Sequence, residues 1–218
     1  MRKFIFVTGF QRSGTTLLRR LINAHPNAKI LHETRLIKHS RTRADMYANF
    51  DLYFGEHHKY IGEKVPYMIK AAQPLAFIRK WFDFFGEHGR VIHIIRHPVD
   101  VTFSNMKKLS PKKSDLYLTQ YIRSVPRVID EVNKNKLCMN VVFEDLVYSP
   151  RMVIEEVFKF CEIHYNPKIL IQVLDAPMRY FNGVNPDRGY AFEREGRRLK
   201  IKIEIPDYNE LLKRARNG

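Results

Sequence analysis

Residues Lys3 to His25 constrain the fold of this 218-residue chain more than any other stretch. An apolar run, Phe4-Ile5-Phe6-Val7, gives way to Thr8-Gly9-Phe10-Gln11-Arg12-Ser13-Gly14-Thr15-Thr16, and then to a helical pattern with Leu17, Leu18, Leu21 and Ile22 on one side. This succession predicts a buried parallel strand, a tight turn of small residues and a helix starting near Gly14. The turn aims several backbone N–H groups and the positive end of a helix dipole at one point, which makes an anion site, above all for a phosphate. A generic strand-turn-helix, its glycines serving only close packing, is the plain alternative.

The spacing from Gly9 to Gly14 matches a Walker A loop, but Thr15 stands where that loop carries the lysine that holds the outer phosphates of a triphosphate. The cation comes earlier, at Arg12. Arg12-Ser13-Gly14-Thr15-Thr16, followed by the helix end Ala24-His25-Pro26, resembles the 5′-phosphosulfate loop of sulfotransferases that use 3′-phosphoadenosine 5′-phosphosulfate, PAPS, in the arginine form of the tyrosylprotein and carbohydrate branches.

A chain of this length supports one sizeable core, and no linker or repeat divides it, so residues 1–218 read as a single domain. No apolar run approaches the span of a bilayer. The first strand begins within a few residues of Met1, which reads as no signal or transit segment and a cytoplasmic protein. Cys138 and Cys161, each beside apolar residues, read as buried reduced thiols without the partners of a metal site. The net charge of +15 calls for an anionic partner. Nucleic acid is one candidate, although Lys and Arg are spread along the whole chain and no nucleic-acid motif accompanies them; an anionic nucleotide with an acidic peptide or anionic glycan as acceptor is another, and charge alone does not choose between them.

Further along, Lys29-Ile30-Leu31 reads as a short strand ending at His32-Glu33-Thr34-Arg35. Ligands of open α/β sheets sit at the carboxyl ends of the strands, so Glu33 should face the same crevice as the first turn. It is the candidate general base; tyrosylprotein sulfotransferases have their catalytic glutamate in a similar Glu-Thr-Arg. The alternative is a surface carboxylate paired with Arg35. Residues 36–58 read as a partly helical, exposed insertion, with His57-His58 as a solvated pair. Glu63-Lys64-Val65-Pro66 resembles the Glu-Lys-(Thr/Ser)-Pro segment of carbohydrate sulfotransferases, in which the lysine reaches the transferring group; Val65 replaces the hydroxyl residue. Lys64 is thus the candidate electrophilic stabiliser, against the alternative of an exposed lysine neutralising Glu63.

A helix over 74–85 with Trp81 in the core precedes the strand Arg90–Ile95, which holds His93 as a satisfied polar residue and runs into Arg96-His97-Pro98-Val99-Asp100 and Ser104. This order matches the family's 3′-phosphate motif. It implies Arg96 and Ser104 as ligands of a terminal phosphate, with Asp100 bracing the turn. Leu116 to Lys136 reads as a long helix broken or kinked near Pro126, and Met139 to Leu146 as another central strand ending in the acids Glu144 and Asp145. An apolar strand ending in acid also looks like a Walker B element, which keeps a magnesium-using P-loop phosphotransferase as the second reading and a basic nucleic-acid-binding module as a third. Helices over 150–161 and 208–216, an edge strand over 200–205, and a basic loop at Arg188-Gly189 and Gly196-Arg197-Arg198 that could cover the nucleotide complete the chain.

The resemblance, which spans residues 3 to about 162, implies a P-loop-like three-layer α/β fold, a central parallel sheet flanked by helices. It also implies transfer of a sulfuryl group from PAPS to a peptide tyrosine or carbohydrate hydroxyl, with adenosine 3′,5′-bisphosphate as product and no metal. Glu33, Lys64 and Arg12 would be catalytic; Arg12, Ser13, Gly14, Thr15, Thr16, Arg96, Ser104 and Arg188 would hold the nucleotide.

Overall fold

The computed structural model describes residues 2–54, 57–67, 72–108, 114–181 and 208–217. Five strands, β1 (Lys3–Gly9), β2 (Ala28–His32), β3 (Tyr60–Lys64), β4 (Gly89–Ile95) and β5 (Cys138–Val142), form one sheet in the order β2-β3-β1-β4-β5. Every pairing is parallel. Parallel strands need crossovers, and the crossovers here are helical, so both faces of the sheet are covered.

Alternation along β1 shows how the layers divide. Phe4 and Phe6 enter a core shared with α2 (Leu36–His39), α3 (Arg43–Phe54), α4 (Ala72–Phe85), α5 (Pro98–Lys108), α6 (Ser114–Asn133) and the last helix, Tyr208–Arg216. Ile5 and Val7 point the other way, into a core with α1 (Thr15–Asn23), α7 (Phe143–Tyr148), α8 (Pro150–Phe160) and α9 (Pro167–Phe181). The helix Tyr208–Arg216 is α10. The result is the three-layer α/β architecture that the sequence implies.

Three local expectations are corrected. Residues 36–58 are not an exposed insertion: Met46, Phe50 and Phe54 recur every four residues on α3, and all three are buried. Phe50 stacks on Phe4 and Phe85 at 6.0 and 5.7 Å, so this stripe docks the helix while Leu52 and Tyr53 stay exposed. The segment Met139 to Leu146 is not one central strand. Among the described residues β5 pairs only with β4; it ends at Val142 and gives way to α7, whose first turn holds Glu144 and Asp145 where the helix dipole favours acids. Finally, α6 is not broken at Pro126 but runs through it as a single helix. The expected edge strand over 200–205 lies outside the described residues.

The order of the strands sets the site. From β1 the chain crosses to β2 and returns to β3; it then passes to the other side of β1 for β4 and β5. The connections therefore diverge between β1 and β4, and a crevice opens at their carboxyl ends. Gly9 is level with Ile94, and Val7 and His32 are level with Lys64, so the ends of β1, β2, β3 and β4 meet on one rim.

Candidate active site

The turn after β1 is tied to the segment after β3. Tyr67 N–H donates to the Gly9 carbonyl at 3.0 Å, and Gln11 N–H to the Tyr67 carbonyl at 2.8 Å. Arg12 then adopts φ 75° and Gly14 φ 100°, and α1 begins at Thr15. Gly14 has no side chain with which to cap the helix, so the first-turn N–H groups of α1 are presented to whatever occupies the crevice. A Cβ at Gly14 would collide with the ring of Phe143, so the conformation and the space both require glycine.

The turn after β4 reaches across to meet it. Arg12 Nε donates to Ser104 Oγ at 2.9 Å, and Arg96 Nη1 lies 3.5 Å from the Arg12 carbonyl oxygen. The Arg96 guanidinium also lies 4.3 Å over the Phe143 ring and 3.6 Å from Asp100. Burial, and then the charge of Arg96, hold the Arg12 guanidinium below its ordinary pKa. Two guanidinium groups this close repel each other unless an anion lies between them. Among the described residues, Arg96 Nε and Ser13 Oγ are buried without a hydrogen-bond partner, and both are donors. Crowded cations and unused donors fit a ligand with more than one phosphate-like group.

The third part lies at the ends of β2 and β3. Lys64 is almost wholly buried, and its Nζ donates to Glu33 Oε1 at 2.5 Å. Burial lowers the Lys64 pKa while Glu33 pulls it back up. For Glu33 burial acts to raise the pKa, but the hydrogen bond and charge of Lys64, with His32 and Arg35, outweigh it and hold the carboxyl below its ordinary value. Glu33 and Arg35 both have positive φ, 56° and 59°, which concentrates backbone strain at this exit. The carboxylate is paired with Lys64, not with Arg35. Nor does Lys64 neutralise Glu63, because neighbours on a strand face opposite ways. Glu63 is buried on the far side, where Thr34 Oγ1 and the N–H groups of Leu36 and Ile37 donate to its carboxylate at 2.9, 2.9 and 3.0 Å. Glu63 shapes the turn that presents Glu33.

These parts enclose a cleft of about 650 Å³. Arg12, Gly14, Thr15, Thr16, Glu33, Arg96 and Ser104 are on its wall, whereas Ser13 is buried behind the turn and Lys64 is reached through Glu33. Arg188 lies outside the described residues. The wall also contains Gln11, Arg20, His32 and Phe143, which the motifs do not name. Arg20 is one helical turn beyond Thr16, His32 precedes Glu33, and Phe143 follows β5 as Arg96 follows β4, so their positions were readable from the elements. A second pocket of about 150 Å³ shares Gln11, Glu33 and Pro66 with the first and adds Arg35, Val65 and Tyr67.

The acids after β5 do not face the cleft as a Walker B element would. Glu144 accepts hydrogen bonds from His97 N–H at 2.9 Å and the Tyr208 hydroxyl at 2.7 Å, and Asp145 is paired with Arg216 at 2.7 Å. Among the described residues, no group of three or more His, Cys, Asp or Glu is placed to hold a metal, and no helix is long and apolar enough to cross a membrane. Cys138 and Cys161 are free thiols; burial raises the pKa of both, to about 12 for Cys138.

Known proteins share this fold. The solved sulfotransferase domain of the Synechococcus PCC 7002 olefin synthase is 16% identical, with a TM-score of 0.64 over 100% of this chain and 95% of that one. Mouse sulfotransferase SULT7A1, solved in complex with PAP, is 16% identical with a TM-score of 0.52, over 78% of this chain and 63% of that one. In sequence, protein-tyrosine sulfotransferase 1 of Danio rerio is 23% identical over 201 residues, 76% of this chain and 55% of that protein. The chain therefore spans about half the length of this curated relative. The model of the sulfotransferase family matches residues 5–59 and 42–167, which takes in the turns after β1 and β4, Glu33 and Lys64; the chain belongs to the sulfotransferase family.

Proposed function

We propose that the protein transfers a sulfuryl group from PAPS to an acceptor hydroxyl. One observation carries the reading: a carboxylate in contact with a buried lysine opens onto the same cleft as two arginines drawn from separate anion-binding turns. The PAP bound in the solved mouse relative supports it. PAPS, when bound, supplies the sulfuryl group and a bisphosphate that departs from it.

Each residue then has a task. The backbone N–H groups at the start of α1 and the Arg12 guanidinium bind the 5′ end of the nucleotide. Arg96 and Ser104 bind its 3′-phosphate, the arginine through two parallel N–H donors. Glu33, ionised at neutral pH, accepts the proton of the acceptor hydroxyl. Lys64 stabilises negative charge at the transferring group and, as it moves toward that charge, loosens its hold on Glu33, which makes the carboxylate a stronger base when it is needed. The acceptor side contains Arg20 and Arg35, with Lys64 behind Glu33, against the one lining carboxylate of Glu33, Glu63 being tied to the 34–37 turn. This surplus of cationic groups favours an anionic acceptor, an acidic peptide with its tyrosine or an anionic glycan.

Calorimetry tests the nucleotide assignment. The wild-type protein should bind adenosine 3′,5′-bisphosphate more tightly than ADP. Arg96→Ala should weaken the bisphosphate by about 10-fold or more while changing ADP little, since a charge-assisted bidentate contact contributes on the order of 1.5–3 kcal/mol. Equal losses for the two ligands would refute a role for Arg96 at the 3′ end.

A further inference from the structure

We propose that Tyr208 and Glu144 are positioning residues that aim Arg96, so that recognition of the 3′-phosphate depends on the C-terminal helix α10; this rests on the nucleotide reading given above. The peptide unit joining Arg96 to His97 is held from both sides. Its carbonyl accepts a hydrogen bond from the buried Tyr121 hydroxyl of α6, and its N–H donates to Glu144 Oε1 at 2.9 Å. A peptide is planar, so fixing its oxygen and its nitrogen fixes the plane that contains the Arg96 Cα, the base from which its side chain reaches.

The second bond depends on a residue far away in sequence. Glu144 Oε2 accepts from the Tyr208 hydroxyl at 2.7 Å, and the Tyr208 ring meets the His97 ring edge-on at 4.6 Å. A carboxylate is a pair of acceptors on a rotatable stem. With Oε1 on His97 and Oε2 on Tyr208 it has one orientation. Without the phenol it can turn toward Arg96, which lies over the ring of the preceding residue, Phe143. A carboxylate there would compete with the phosphate for the same guanidinium. Tyr208 therefore both holds the clamp in place and keeps the acid off the arginine.

Helix α10 does not depend on this phenol for its own docking. Leu211 and Ala215 are buried, Arg216 pairs with Asp145, Arg214 pairs with Asp130, and Asn133 Nδ2 donates to the Arg214 carbonyl at 2.6 Å. Removing one hydroxyl should leave the helix seated, which separates positioning from folding.

The test is calorimetric titration of wild type, Tyr208→Phe, Glu144→Gln, the double variant and Arg216→Ala with adenosine 3′,5′-bisphosphate and with ADP. Tyr208→Phe should weaken the bisphosphate about fivefold to tenfold and ADP less than twofold, the size of one ordinary hydrogen bond felt at one end of the ligand. The double variant should bind no more weakly than Glu144→Gln alone, because the phenol acts through the carboxylate. Arg216→Ala should lower the melting temperature and leave the preference for the bisphosphate intact. Additive losses, equal losses for both ligands, or an unchanged preference in Tyr208→Phe would overturn the clamp. A preference that disappears in Arg96→Ala yet survives Tyr208→Phe overturns the clamp alone; a wild-type protein without any preference overturns it together with the nucleotide reading.

Discussion

Lys64 carries a charge where almost no water reaches it, and its counter-charge, Glu33, stands half in solvent. That asymmetry fixes what each substitution does. Glu33→Gln should lower turnover by about 10²–10⁴-fold, the usual contribution of a general base, with little change in bisphosphate affinity; the rate of sulfated-product formation measures it. Lys64→Met should do something different to the pH profile. In the wild type the carboxyl is held below its ordinary value, chiefly by Lys64 working against burial, so activity should fall only when the pH drops below the usual carboxylate range. Without the lysine, burial is left to act and the acid limb should shift to higher pH. An unmoved limb would mean that Lys64 does not govern this base. Glu33, Arg12 and Arg96 could be singled out in the sequence because each follows an apolar strand. The pairing of Lys64 could not, since Glu63 is its nearest neighbour in sequence and only the pleat shows that the two side chains part company.

At the level of elements, the turn before α1 is the least tolerant piece of the site. Gly14→Ala would put a methyl group into the Phe143 ring at a φ of 100°, and Phe143 supports Arg96. A loss of about 1–3 kcal/mol is expected, roughly 2–10 °C in melting temperature for a chain of this size, with bisphosphate affinity falling in parallel. A variant as stable and as tight-binding as the wild type would show that the ring moves freely. The strands and long helices were legible because their apolar periods are strong: β1, β4, α8 and α10 all lie within a residue or two of where the pattern puts them. The misreadings share a cause. α3 has apolar residues all round it, the exposed Leu52 and Tyr53 among them, which hides the buried line of Met46, Phe50 and Phe54, and the run through Val141, Val142 and Phe143 continues into a helix whose first turn is acidic, so composition gave no sign of where strand becomes helix.

Across the whole molecule, a buried polar line runs under the site from one face to the C-terminal helix. The Tyr67 hydroxyl donates to His93 Nε2 at 2.9 Å, His93 Nδ1–H donates to Asn140 Oδ1 at 2.8 Å, and Asn140 Nδ2 donates to Asn133 Oδ1 at 2.6 Å. The neighbours assign this tautomer, since the Asn140 amide is already turned to Asn133. Burial pushes the pKa of His93 down to about 4, against the Asn140 bond. An unfolded histidine titrates near about 6.5, so the native state disfavours the proton; His93 contributes stability in full above that value and loses it as the pH falls toward 4. The loss should reach up to about 1.4 kcal/mol per pH unit in that window. Melting curves of wild type and His93→Gln from pH 7 to 4 should show a shallower decline in the variant, whatever its starting stability; parallel declines would clear His93 of the effect. The polar character of His93 was visible in the sequence, but its partners were not, because they come from β5, α6 and the segment after β3. The same wide gathering governs β3 itself, the only strand between β1 and β2. Adding a single residue within 60–62 would push the rest of that strand on by one place and turn it over, so that the acid Glu63 takes the place of the Lys64 ammonium group at the rim, and a cleft built to attract a polyanion would repel it.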